Sequence, residues 1–485
     1  MKINLREKYK NARHIDFLYD LKNYNGLKTS IVVPYFTILS PIFVIWICYF
    51  VWWLFGFNNS FIGYLNTVAL TSLPFIIFFF VIVDIRRIVI HIMDKKGDIH
   101  PIRWLKDSIT KRTELWFLLL MFIWIIVATL ANPNPSKVFR LMGEHDRMQE
   151  GVIFYVSYVL IFVFSYLLQS RDSHNRLLIA FLISSIFGCV STIIDPCGGF
   201  LLASHNNTGW AFGFVNSNHY GYFLTLAVLC SACMFITAKT KGMKYFTAIT
   251  YTLNTVVLFF NDTLGCLIAV LCALAVIPII YSIRGRQFKW IYMLPLGTFV
   301  VLSFALTPLA KYMPATTYSS LFNQLIGLIK DFFSVTSAPL SEEATHAGTD
   351  RWGLWMKAFK GIKDNPWFGT GDVFFKPHNE YLQHAYNFGI LCLVFYLIAL
   401  VIILVKALKN LRFLSDITLV FLFSILAYLI SALFGNTMPH TMPFFMVFLA
   451  FSIRSLNIDI EQRKAQNTSL SKNATNIKLK VNSAE

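Results

Sequence analysis

Long apolar runs separated by short polar breaks dominate this sequence. A helix needs about 20 mostly apolar residues to cross a bilayer. Twelve such runs stand out, at 34–55, 62–83, 115–131, 152–168, 177–195, 219–238, 245–260, 263–283, 290–307, 386–405, 416–435 and 440–454. In lipid, backbone N–H and C=O groups must be paired within the segment, which a helix achieves on its own. Of the 485 residues, 56% are hydrophobic and 14% charged, against about 25% charged in an ordinary soluble domain. So little polar side chain would not cover a water-facing surface, which excludes a cytosolic enzyme, a disordered chain and a secreted module. The predicted fold class is an all-α polytopic membrane protein with about twelve transmembrane helices. The seventh and eighth runs nearly fuse around Asn261, Asp262 and Thr263, which predicts a tight helical hairpin.

Cytoplasmic loops collect Lys and Arg. With the N-terminus inside, the inside segments hold 32 of the 42 basic residues, and four of the six outside loops hold none. That predicts a cytoplasmic N-terminal segment at 1–33, membrane helices one to nine within 34–307, and a large extracytoplasmic loop at 308–385. Helices ten to twelve then fill 386–454, and a polar cytoplasmic tail at 455–485 reads as disordered. Both termini are expected in the cytoplasm of a multi-pass membrane protein. The net charge of +17 is then an orientation signal and an attraction to membrane lipid, and nucleic acid is not needed to explain it. Ionisable residues are almost absent from mid-span positions, which argues against an ion-driven pump. The eight cysteines sit mostly in apolar runs, and the Cys230-x-x-Cys233 pair lacks the further ligands a zinc site needs. No metal site and no cofactor are expected.

Polar interest concentrates in the long loop. Residues 355–363 place Trp355, Ala358, Phe359 and Ile362 at helical spacing, predicting a short amphipathic helix on the membrane surface or the bundle. Asn365-Pro366-Trp367-Phe368-Gly369-Thr370-Gly371 then breaks it. Pro377-His378-Asn379-Glu380-Tyr381 follows, just before the tenth run. An imidazole or carboxylate there could accept a proton from an attacking hydroxyl, which makes His378 and Glu380 candidates. Arg351 could fork onto phosphate oxygens, as could Arg140 and Arg147 of the other charged outer loop. Each has a plainer alternative: a solvated loop histidine, an arginine anchoring the loop beside Trp352, or contacts to lipid headgroups. Asn216, Asn218 and His219 open the sixth run, where their plain role is capping.

In this arrangement the chain resembles the O-antigen ligase/O-antigen polymerase family of bacterial membrane glycosyltransferases. The family's His-[Asn/Ser/Gln], nine residues, then Gly pattern matches His378-Asn379 and Gly389. Its upstream loop arginine matches Arg351, with Trp355 and the Pro366 to Gly371 turn between. Its Asn-x-Asn element matches Asn216-Ser217-Asn218, and its short helical hairpin matches 245–283. The resemblance covers about residues 200–400. It departs at the hairpin, where the family often has Ser-Arg and this chain has Asn261-Asp262-Thr263-Leu264-Gly265; either another arginine, with Arg140 and Arg147 the candidates, supplies that phosphate contact, or the donor is held differently.

The resemblance implies a GT-C-like fold with short helices in the long loop, in a bacterial cytoplasmic (inner) membrane. It also implies metal-independent, inverting transfer of a glycan from an undecaprenyl pyrophosphate carrier to a glycan or lipid acceptor. Arg351 would stabilise the pyrophosphate charge, and His378, with Glu380 as rival, would deprotonate or orient the acceptor hydroxyl. Asn379, Asn216, Asn218, His219, Trp355, Arg140 and Arg147 would bind substrate. Ligase and polymerase share these features, and a polysaccharide flippase of the same pathway is the alternative.

Overall fold

A computed structural model describes residues 28–42, 82, 84–85, 112–132, 151–168, 171–194, 210, 214, 216–313, 318, 320–337, 347, 351–372, 374–436 and 440–482. The described residues form α-helices and short 3-10 turns, with no strand among them. The helices are α1 (Thr29–Ser40), α2 (Thr113–Ala131), α3 (Val152–Leu167), α4 (Arg171–Ile194), α5 (Ser217–Thr237), α6 (Lys241–Asn261) and α7 (Leu264–Gly285). They continue with α8 (Leu294–Ala310), α9 (Leu321–Ser337), α10 (Arg351–Asp364), α11 (Glu380–Phe388), α12 (Ile390–Asn410), α13 (Asp416–Ser431) and α14 (Met442–Asn482).

Seven of these are long and apolar enough to cross a membrane: α2, α4, α5, α7, the stretch from α12 to Phe413, the stretch from α13 to Phe434, and the first part of α14. The shorter α1, α3 and α8 are also apolar. Ten of the twelve predicted runs coincide with described helices, whereas most of 34–55 and nearly all of 62–83 lie outside the described residues.

Helix α5 is the centre of the bundle. It is apolar on all sides and packs against α4, α6, α7 and α13, as expected of a helix with no face to give to solvent. By contrast, α12 packs chiefly on α2 and leaves Leu397, Val401, Leu404 and Leu408 exposed, a surface suited to lipid tails. Helix α3 packs along α14.

The α6–α7 hairpin forms as its sequence predicts. Asp262 adopts a left-handed conformation (φ 56°), and its N–H closes the helix end on the Leu258 and Phe259 carbonyls. Gly221 on α5 lets the hairpin tip come close, because a Cβ there would stand 3.0 Å from both Asn261 Oδ1 and Cys266 Sγ. Asn261 donates from Nδ2 to the carbonyls of Trp210 and Ser217, 2.9 Å each, and Gln324 of α9 donates to Asp262.

Four ion pairs gather at the opposite end of the bundle: Arg112–Glu461, Arg171–Asp459, Arg284–Asp416 (2.5 Å) and Lys406–Glu114. Along α14, Met442 and Asp459 are separated by roughly 26 Å at 1.5 Å per residue, close to the thickness of a bilayer's hydrocarbon core.

Candidate functional site

The site is built on a turn that glycine makes possible. The tenth predicted run does not begin as one span: Glu380–Phe388 forms the separate helix α11, and Gly389 breaks it from α12. Gly389 has φ 86°, and a Cβ there would sit 1.8 Å from the Trp367 carbonyl oxygen. Only glycine fits both demands. The Pro366–Gly371 turn is thereby laid against the end of α11. Ile390 N–H donates to the Pro366 carbonyl at 2.8 Å and Thr370 N–H to the Tyr386 carbonyl at 2.7 Å. From α2, Trp124 Nε1 donates to the Phe388 carbonyl (2.9 Å), while Asn132 Nδ2 donates to the Gly369 carbonyl (2.8 Å). The fixed distance from His378 to Gly389 is thus the length of one short helix with its cap and its stop.

His378 sits just before that cap, in a left-handed backbone conformation (φ 51°) that costs a non-glycine residue energy unless its surroundings hold it. Asn436, in the loop after α13, holds it. The His378 N–H donates to Asn436 Oδ1 at 2.8 Å, and Asn436 Nδ2 faces His378 Nδ1 at 3.4 Å. An amide nitrogen only donates, so the ring accepts at Nδ1 and carries its proton on Nε2.

Burial, then the charges of Arg351 and Lys376, push the His378 pKa below its ordinary 6.5, which keeps the imidazole neutral. Burial also lowers the Arg351 pKa, and Tyr222 of α5 and Cys266 of α7 lie within electrostatic reach of its guanidinium. Arginine stays charged in a protein. Among the described residues no carboxylate forms an ion pair with Arg351. His219, in the first turn of α5, lies within electrostatic reach of His378 and Lys376. Arg351, His378 and His219 therefore share one positive neighbourhood beside the start of α5, although 132 positions separate His219 from Arg351.

The remaining candidates fall in other surroundings. Glu380 is fully buried, with the hydroxyls of Tyr396 and Tyr428 donating to it at 3.3 and 3.4 Å; His384 Nε2 stands 3.8 Å away, beyond hydrogen-bond distance. Its carboxylate ties α11 to α12 and α13. Asn379 and Asn216 use their side-chain oxygens as helix caps, accepting from Leu382 N–H and Asn218 N–H. The amide NH2 of each is not consumed by the cap. Trp355 packs edge-on against Trp352, ring centroids 6.2 Å apart, on α10, which runs several residues longer than the predicted 355–363 helix. Arg140 and Arg147 lie outside the described residues. Among the described residues no group of three His, Cys, Asp or Glu side chains is placed to hold a metal ion.

Sequence reasoning missed Lys376, Asn436 and His440. The signal available for the last two is weak: Asn436 in the short gap between two apolar runs, and His440 at the first position of the run that follows.

Residues 209–397 match the family model described as O-antigen ligase. The matched segment runs from just before α5 into α12 and contains His219, Arg351 and His378, whereas Asn436 and His440 lie beyond it. No curated protein matches the chain.

Proposed function

We infer that this chain, a member of the O-antigen ligase/polymerase family through residues 209–397, transfers a glycan from undecaprenyl pyrophosphate to an acceptor hydroxyl at the outer face of the bacterial cytoplasmic membrane. The observation that carries the reading is the pairing, inside the matched segment, of Arg351, a cation in no ion pair among the described residues, with His378, an imidazole whose surroundings favour its neutral form.

The chemistry follows from those two groups. An acceptor oxygen attacks the anomeric carbon, the bond from that carbon to the diphosphate oxygen breaks, and the diphosphate leaves on its lipid. Attack opposite the leaving group inverts the anomeric centre. Charge builds on the diphosphate, where a preorganised guanidinium stabilises it without reorganisation. The acceptor proton goes to His378 Nδ1, whose 3.4 Å contact to Asn436 is long enough to be exchanged for a hydroxyl. His378 Nε2–H meanwhile donates to a substrate oxygen. Glu380, buried under two tyrosines, positions α11 and so His378. Asn216, Asn218, Asn379 and Trp355 line the approach for sugar, and Arg140 and Arg147 supply further phosphate contacts.

Of the two activities in the family we propose the polymerase, in which both partners of the reaction ride on lipid carriers. Deleting the gene in the native host and examining the surface glycan on a gel tests this. Collapse to single repeat units, rescued by wild type but not by His378→Ala, is expected. Full-length glycan stranded on its carrier would mean a ligase. Lipid-linked units trapped on the cytoplasmic side, with His378→Ala fully active, would mean a flippase.

A further inference from the structure

A second pair of imidazoles lies next to this site. His440, just before α14, is 1% exposed, and among the described residues neither of its ring nitrogens has a hydrogen-bond partner. Burying such a group without a partner costs free energy, so it marks a place where a partner arrives. Its ring lies nearly parallel to that of His219, with centroids 5.7 Å apart and planes 26° off parallel. His219 is 5% exposed and gives its Nδ1 proton to the Phe214 carbonyl at 3.3 Å, which leaves Nε2 as an acceptor. His219 in turn is the member of the pair within reach of His378 and Lys376.

The hydrogen-bonding inventory decides what this pair can hold. Burial, helped by His219, pushes the His440 pKa down to about 3, so its ring keeps one donor and one acceptor at any ordinary pH. Together the two rings offer at least two acceptors and one donor. An anion such as diphosphate has no proton to give and is matched by cations, which stand on the His378 side as Arg351 and Lys376. A sugar hydroxyl both gives and takes a hydrogen bond, and adjacent hydroxyls on one ring can meet both histidines.

We propose that His219 and His440 form a subsite for the hydroxyls of a sugar in the lipid-linked donor, beside the diphosphate held by Arg351. The proposal rests on the glycosyltransferase reading above and adds to it a residue outside the matched segment.

The test measures binding of two probes to the purified full-length protein in detergent. One is undecaprenyl pyrophosphate alone, and the other is the same lipid carrying the host's repeat unit. His440→Ala should bind the bare lipid as wild type does and the glycan-bearing lipid about tenfold more weakly, the worth of one or two lost hydrogen bonds. His440→Gln, which keeps a donor and an acceptor, should lose less. Arg351→Ala should weaken both probes. Equal weakening of both probes by His440→Ala, with a lowered unfolding temperature, would make the histidine a packing residue and overturn the proposal. Unchanged binding of both probes by His440→Ala would overturn it too. If wild type binds neither probe, the glycosyltransferase reading itself falls, and the subsite with it.

Discussion

At one end of the bundle, Arg112, Arg171, Arg284 and Lys406 each face a carboxylate. At the other, Arg351 is half-buried and, among the described residues, lies within electrostatic reach of Tyr222, Cys266 and His378 and forms no ion pair with an acid. The first arrangement is what stability asks for. Asp459, for example, takes Arg171, the N–H and Oγ of Ser415 (2.8 and 3.1 Å) and Thr418 Oγ1 (2.6 Å), joining α4, α13 and α14. Both oxygens of that carboxylate find donors. The second arrangement costs stability, since a desolvated cation without its counter-charge is unfavourable. In the function proposed above, an anionic substrate would supply that counter-charge. One end thus carries the ion pairs that hold the fold, and the other carries a cation that such a substrate would pair.

Four experiments would break or sharpen this contrast. The largest effect belongs to the paired end. Asp459→Ala takes the carboxylate away from Arg171, which keeps Gln462, and from the Ser415 and Thr418 hydroxyls, which keep each other, and should cost about 3 kcal/mol or somewhat more, read as a fall in unfolding temperature, with transfer per folded molecule retained. A variant as stable as wild type would show that the ion pairs are ornamental. Next, Gly389→Ala meets both a left-handed φ and the Trp367 carbonyl. It should cost roughly 3 kcal/mol and also abolish transfer, because α11 carries His378 at its start. Normal activity in that variant would separate the turn from the site.

Asn436→Ala removes only the restraint on His378. Transfer should fall on the order of tenfold while stability changes by no more than about 1 kcal/mol. A pure stability loss with normal turnover would place Asn436 at the structural end of the contrast. The smallest effect is in pH. A base works once deprotonated, and burial, Arg351 and Lys376 hold the His378 pKa below 6.5. The acid limb of kcat/KM, which reports the free enzyme, should therefore fall below pH 6.5 rather than at it. Arg351→Met should move that limb upward, measured on whatever residual activity remains. A limb above 6.5 in wild type contradicts the electrostatics.

Much of the fold was legible where a single local pattern decides it. Asn261-Asp262-Thr263 between two apolar runs marked the hairpin, since a short polar stretch with a residue tolerant of left-handed φ suits a tight turn. The seven described helices long and apolar enough to span a membrane all lie on runs that length alone marked. The start of α12 was misplaced because residues 386–388 are apolar enough to extend a span. The reason they do not is a contact with Trp367, some twenty residues upstream, that no local pattern reveals. His378 and Arg351 were visible as residue types suited to the chemistry and as matches to a family's spacing. Their support was not. Asn436 meets His378 across 58 positions, and His440 meets His219 across 221, so both partners lay beyond the reach of periodicity. Glu380 shows another limit: its sequence position suggested a base, and only the structure shows it buried beneath Tyr396 and Tyr428.

On this reading the end of the bundle that holds Arg351 and His378 performs glycan transfer. Its most direct test is single-turnover transfer by purified protein with the native lipid-linked repeat unit, comparing wild type with Arg351→Ala and His378→Ala at matched unfolding temperature. We expect both variants to lose at least about a hundredfold in rate, as befits loss of charge stabilisation or of a general base, while remaining as stable as wild type. Near-normal rates in both would contradict the account.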